Sequence, residues 1–266
     1  MLYKGRMKMK KLLSVLASLT MVLGLVGCSN SVDYSKKDDG VMTYAEYEKA
    51  ANDGSVEVVI EAYVQASQSY YNGATMYLAD TDGAYFVYNG QISEADWAKC
   101  VKDANYGTGW YGEGTGIKVK VSGTKTEWAG EVEISDATVE IVDDSISYIA
   151  PATDVTALFN DETLSNYMNR LVVMKGLTVV ASEDQNGNAV AFLYNWDGSG
   201  EDGSDLYFNV TDGYATYTYV VESYLAFAGS EVYETVKGLS LGDTVDLEGF
   251  LYWYNSAQMH VTRVTK

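Results

Sequence analysis

A pair of glycines recurs at a fixed interval. Gly116 and Gly123 bracket one strand-like run, Gly242 and Gly249 bracket another, and each glycine lies 126 residues from its counterpart. Such self-similarity divides the chain into two units of about 100 residues, each the size of a small domain. The rest of the pattern agrees. In the first unit Thr43-Tyr44-Ala45-Glu46 is a capping box that opens a short helix to about Ala51, and Val56, Val58, Ile60, Ala62 and Val64 then alternate with polar residues. In the second, Asn160 caps a helix to about Asn169, and residues 171–180 form the matching strand. Thr81-Asp82-Gly83 and Thr211-Asp212-Gly213 each sit between two strand-like runs, 75–79 with 84–88 and 205–210 with 214–220. Asp-Gly in that position signals a hairpin. Each hairpin leads into a capped helix, from Ser93 to about Lys102 and from Ser230 to Lys237, where Gly238 is the stop. The closing strands are 116–123 with 131–142 and 242–249 with 257–264, and the glycine ending each fourth strand suits a bulge at a barrel corner.

Each unit therefore reads strand, hairpin, short helix, hairpin. That order resembles the OB-fold, a five-stranded Greek-key barrel with a helix between strands three and four. The expected fold is all-β with short helices: two tandem OB-fold-like barrels, at 41–142 and 160–266, joined by a linker over 143–159 that holds the only proline, Pro151. A pair of β-sandwiches is the competing architecture, although sandwiches usually lack an embedded helix.

The N-terminus carries a separate message. Lys4, Arg6, Lys8, Lys10 and Lys11 precede an uncharged run from Leu12 to Val26. At about 15 residues the run is too short to cross a bilayer and suits a signal peptide over 1–27. Leu25-Val26-Gly27-Cys28 resembles the bacterial lipobox, with Val26 in a place where Ala or Ser is commoner. The resemblance implies that Cys28 is lipidated and becomes the new N-terminus, and that the protein sits outside the cytoplasm on a membrane. Residues 28–40 read as a flexible tether. Lipobox and repeat together resemble bacterial lipoproteins built of tandem OB-fold-like domains, over residues 41–266, with no catalytic motif implied.

Without residues 1–27 the chain keeps 13 basic residues against 37 acidic ones, a net of −24, and its only arginines are Arg170 and Arg263. A field of that sign repels phosphate, so nucleic acid is not an expected partner despite the fold. OB-folds bind on the face of strands two and three, between the first and fourth loops. Those places hold Tyr70, Tyr71, Tyr77, Tyr85 or Phe86, Tyr88 and Trp128 in the first unit, and Trp196, Tyr207, Tyr214, Tyr217, Tyr219, Trp253 and Tyr254 in the second. Tyr70, Tyr71, Tyr77, Trp128, Trp196, Tyr207, Trp253 and Tyr254 are the candidate ligand contacts. Rings with a polar edge suit sugars and peptides, although tyrosine is also an ordinary strand and core residue. The expected function is a binding module for a glycan or a peptide or protein; a structural lipoprotein of the envelope is the alternative.

Other motifs carry less. Gly107-Thr108-Gly109-Trp110-Tyr111-Gly112 matches a dinucleotide fingerprint by letter, but it follows a helix and precedes a strand, the reverse of the required context. Asp197, Glu201, Asp202 and Asp205 crowd one loop, where calcium is a weak candidate because the EF-hand glycine position holds Asp202. The sole histidine, His260, and Cys100 are expected to be structural, and no cofactor, metal or catalytic residue is assigned. Scattered acids always offer some close pair, but a small barrel has grooves rather than the deep cleft a glycosidase needs.

Overall fold

A computed structural model describes residues 32–102 and 112–266. Cys28, the signal segment and nearly all of the glycine-rich 107–112 motif lie outside the described residues. In chain order the first half holds α1 (Tyr44–Lys49), β1 (Val56–Ser67), β2 (Ala74–Ala79), β3 (Ala84–Gly90), α2 (Glu94–Cys100), β4 (Lys118–Trp128) and β5 (Glu131–Asp143). The second holds β6 (Thr153–Asp154), β7 (Leu171–Val180), β8 (Ser182–Glu183), β9 (Ala189–Val190), β10 (Leu193–Tyr194), β11 (Leu206–Thr211), β12 (Thr216–Val221), α3 (Glu231–Lys237), β13 (Thr244–Trp253) and β14 (Ala257–Thr265).

Both halves close into five-stranded OB-fold-like barrels. The first runs β1-β2-β3-β5-β4 and back to β1. In the second, the extra pairing of β11 with β7 closes the order β7-β11-β12-β14-β13. All neighbours are antiparallel except at one seam in each barrel: β3 beside β5 at Phe86↔Glu133, and β12 beside β14 at Val220↔His260. Each barrel has its own core, one including Ile60, Val64, Met76, Leu78, Val119 and Ile134, the other Val172, Met174, Phe208, Val210, Tyr219 and Leu247. Alternation along the strands explains the first-strand pattern, since one side chain in two points inward.

The helices begin where their caps place them. The Thr43 hydroxyl accepts from Glu46 N at 3.3 Å while the Glu46 carboxylate accepts from Thr43 N at 2.8 Å. The far end of α1 is held by Lys125, whose buried ammonium donates to the carbonyls of Tyr47 and Ala50, each at 2.8 Å. Both lie in the last turn, where a short helix leaves carbonyls under-used. Buried Trp97 and Cys100 on α2, and Val232, Tyr233 and Val236 on α3, turn the equivalent helices into the cores.

Several expectations need correction. The fourth strands do not end at the second glycine. They run through it, because a bulge between Ser122 and Thr124, and another between Glu248 and Gly249, bends the strand without breaking its pairing. A side chain on Gly249 would meet the His260 carbonyl at 2.3 Å, so the bend has room only for glycine there. The hairpins do not superpose on their shared letters. Ala79↔Ala84 and Thr211↔Thr216 close the two turns, so Asp80, not Asp82, stands where Asp212 stands. Asp80 accepts from the amides of Asp82 and Gly83, and Asp212 from those of Tyr214 and Ala215, which is the reason for an acid at the first loop position.

The helix expected after Asn160 is a 3-10 turn over Glu162–Tyr167, capped by Asp161, whose carboxylate takes the amide and hydroxyl of Thr163. The tether expected over 28–40 is docked in its described part. Lys37 pairs with Asp80 at 2.6 Å, Lys118 donates to Lys36 O at 2.6 Å, and the Tyr34 ring meets Tyr63 and Tyr148. One charge, Lys37, a backbone carbonyl and one ring found partners on the barrel, which composition cannot reveal. The linker 143–159 is likewise half absorbed: β6 pairs with β7, and Val155 and Phe159 are buried in the second core.

Candidate functional site

The two barrels face one another across a built seam. Tyr77 of β2 stacks on Phe250 of β13 with centroids 4.2 Å apart and planes 10° from parallel, and Phe86 of β3 meets the edge of Tyr252 at 5.4 Å. Polar bonds continue the contact: Trp253 N to Glu131 Oε2 at 2.8 Å, Asn169 Nδ2 to Val132 O at 3.1 Å, and Arg170 to Asp82 O at 2.6 Å. Glu131 is fully buried by this arrangement, and desolvation pushes its carboxyl well above the usual range.

Above the seam the equivalent hairpin tips of the two barrels touch. Ala129 and Gly130 both take positive φ, at 52° and 95°, and turn β4 into β5 in two residues. Asn255, with φ 58°, turns β13 into β14 and donates its amide to Ala129 O at 2.6 Å. The tips meeting there bring Trp128 and Tyr254 together at 5.3 Å, at the mouth of a cavity of about 550 Å³. The first barrel contributes Gln68, Thr75, Phe86, Tyr88 and Trp128 to it. The second contributes Trp196, Tyr207, Val220, Glu222, Tyr252, Tyr254, Gln258 and His260.

Four of the eight candidate contacts line this one space: Trp128, Trp196, Tyr207 and Tyr254. Trp196 and Trp128 are 75% and 56% exposed, unusual for indoles and apt for a ligand wall. The other four are elsewhere. Tyr77 is buried in the seam, its hydroxyl bonded to His260 Nδ1 at 2.8 Å, so it supports the floor instead of offering a face. Tyr70 packs against the first core and donates to Ile92 O at 3.2 Å. Tyr71 is exposed away from the cavity, and Trp253 is half-buried over Gly130 in the seam. Two causes separate them: Tyr77 and Trp253 face the partner barrel but are taken up by the seam itself, whereas Tyr70 and Tyr71 lie outside the one space that the two barrels share.

The polar residues of the cavity are the ones that sequence reasoning passed over. Glu222, just past β12, keeps its side chain only 20% exposed and accepts a hydrogen bond from Gln68 of the other barrel. Burial and the nearby Asp205 carboxylate push its pKa up to about 8. His260 is indeed buried, but it forms part of the wall, stacked on Tyr252 at 4.3 Å with Nδ1 3.7 Å from Glu222. Desolvation lowers it to about 3, which leaves the imidazole neutral. Glu222 carried no local signal; the one hint at His260 was its place on the fifth strand, at the parallel seam.

The acidic loop is occupied with structure. Asp205 accepts from Ser223 N and Oγ at 2.8 and 2.7 Å, Asp202 pairs with Lys237 at 2.8 Å, and Asp197 accepts from Ser199 N at 3.0 Å. Glu201 lies on the same exposed loop, and among the described residues no three acids, histidines or cysteines converge as a metal site would require. Cys100 is buried, and desolvation pushes its thiol up to about 12, so it is a poor nucleophile.

Fold and cavity together define a protein of two OB-fold-like barrels with one aromatic space between them. Among solved structures the chain is similar to a murine DNA-binding protein bound to double-stranded DNA, at 10% identity and TM-score 0.31, covering 78% of this chain and 95% of that one. It is also similar to the p204 HINb domain (11%, 0.31, 77% and 95%) and to the Ifi202 HINa domain in complex with 20bp dsDNA (11%, 0.32, 79% and 96%). Likeness of that degree carries no inference about what this chain binds. No protein-family model and no curated protein matches the sequence.

Proposed function

We propose that this chain is a non-enzymatic binding module, held outside the cytoplasm by a lipid on Cys28, which takes a glycan or a peptide into the cavity between its barrels. The observation that carries the reading is the convergence of Trp128, Trp196, Tyr207 and Tyr254 from separate loops and strands on one space of about 550 Å³, within the range of small-ligand sites. Flat rings at the mouth suit sugar faces or peptide side chains, and Gln68, Gln258 and Thr75 supply neutral hydrogen-bonding groups. The basic segment, apolar run and Cys28 support the anchor. Among the described residues no helix is long and apolar enough to cross a membrane.

Glycan and peptide arrays probed with the full chain test the binding reading. A specific signal lost in both Trp128→Ala and Trp196→Ala, and kept in Tyr71→Ala, is the expected result. A signal that survives both tryptophan substitutions places binding elsewhere and overturns it. Labelled palmitate tests the anchor: the wild-type protein incorporates label and fractionates with membranes, and Cys28→Ser does neither. Equal membrane retention of the two would refute lipid anchoring through Cys28.

A further inference from the structure

We propose that the cavity between the barrels selects an organic cation, holding a methylated ammonium group in an aromatic cage closed by the Glu222 carboxylate. This rests on the reading of that cavity as a binding site and names the chemistry of its ligand.

The lining argues for it by what it contains and what it lacks. Trp128, Trp196, Tyr207, Tyr252 and Tyr254 are among the residues that line the space, and aromatic rings attract positive charge to their faces. Of the lining side chains only Glu222 can supply a formal charge, by losing its proton, since His260 is neutral. The groups facing Glu222 are Gln68, Asp205, Tyr77, Tyr207, Tyr252 and His260, drawn from both barrels, and none is a cation. A carboxylate placed in a sheltered site without a counter-charge is costly, and a bound cation would remove that cost. The same setting accounts for the raised value of Glu222, about 8, which a bound cation would lower.

Methylated ammonium fits better than a metal or a primary amine. A divalent metal needs several oxygen ligands, and only one carboxylate is present. A primary ammonium needs three acceptors and is strongly hydrated, whereas a methylated one presents only apolar surface and diffuse charge to the rings. The chain's net charge of −19 would draw cations toward it.

Calorimetric titration of the full chain with choline and with its neutral isostere 3,3-dimethylbutan-1-ol tests this. Choline is expected to bind at least about tenfold more tightly, with affinity falling toward about tenfold per pH unit below the Glu222 value, because the carboxyl must ionise to pair. In Glu222→Gln the preference should shrink to what the rings alone supply and the pH slope should vanish, while Trp128→Ala and Trp196→Ala weaken binding of either compound. Equal affinity for the two compounds, or a preference for n-butylammonium over choline, overturns the proposal but leaves the cavity as a binding site. An oligosaccharide or peptide that binds through Trp128 and Trp196 while choline does not has the same meaning. If no array ligand binds either, the reading beneath it fails as well.

Discussion

Glu222 and Glu131 hold carboxyl groups where water has little access, and their protons link the fold to pH. Above the ordinary carboxyl value of 4.5 the unfolded chain has released the Glu222 proton, while the folded chain keeps it until about 8. The folded state then binds more protons, so this group's contribution to stability is intact below 4.5 and is lost as pH rises toward 8. Melting temperatures measured across that window should fall more steeply for the wild type than for Glu222→Gln. A slope unchanged by the substitution would show that Glu222 does not titrate as its surroundings imply. At Glu131 one oxygen accepts from Trp253 N, while the other, like Asn169 Oδ1, is buried with no hydrogen-bond partner among the described residues. A glutamine of the same shape keeps an oxygen to accept from Trp253 N. Glu131→Gln should therefore retain most of the stability, whereas Glu131→Ala should cost about 1–3 kcal/mol by stranding the Trp253 amide, as denaturant titration of the two would reveal.

At the scale of single elements, the sequence is most legible where one residue type answers one local need. The caps Thr43, Ser93 and Ser230 start their helices where expected, and Gly238 stops the last one. The strand at Leu171–Val180 has the expected bounds because two largely apolar stretches, 171–174 and 177–180, flank the exposed Lys175 and Gly176 and keep one pairing. Identity of letters misleads where the same residue serves different ends. Gly213 supplies a positive φ of 94°, whereas a side chain at Gly83 would collide with the Tyr44 ring at 2.0 Å, so the shared Asp-Gly is not a shared turn. The repeated glycines separate in the same way. Gly242 needs only its φ of 87° and has no neighbour within 4 Å, while Gly249 is crowded by the backbone of β14. Gly249→Ala should cost at least about 1–3 kcal/mol through overpacking in the bulge. Gly242→Ala should cost about 1 kcal/mol through backbone strain alone. Denaturation midpoints that rank the two the other way would contradict this account of the bulge.

At the scale of the whole molecule, the repeat and the barrel class were legible because each unit repeats a complete pattern of strands, caps and turns. The site was only half legible because it belongs to neither unit. Trp128, Trp196, Tyr207 and Tyr254 could be named from where an OB-fold places its loops, but Glu222, Gln68 and His260 acquire meaning only when the barrels meet. Residues 33–266 form one compact unit, and the stacked Tyr77–Phe250 pair is at its seam. Barrels joined in this way should unfold together, giving a single calorimetric transition, and Phe250→Ala should lower it. The central claim is that ligand enters the space between the barrels. Fluorine NMR of the chain labelled with 5-fluorotryptophan, titrated with the strongest array ligand, tests it most directly. The resonances of Trp128 and Trp196 should shift together in proportion to occupancy while Trp97, buried in the first core, stays in place. A bound ligand that leaves both Trp128 and Trp196 unmoved would contradict the account.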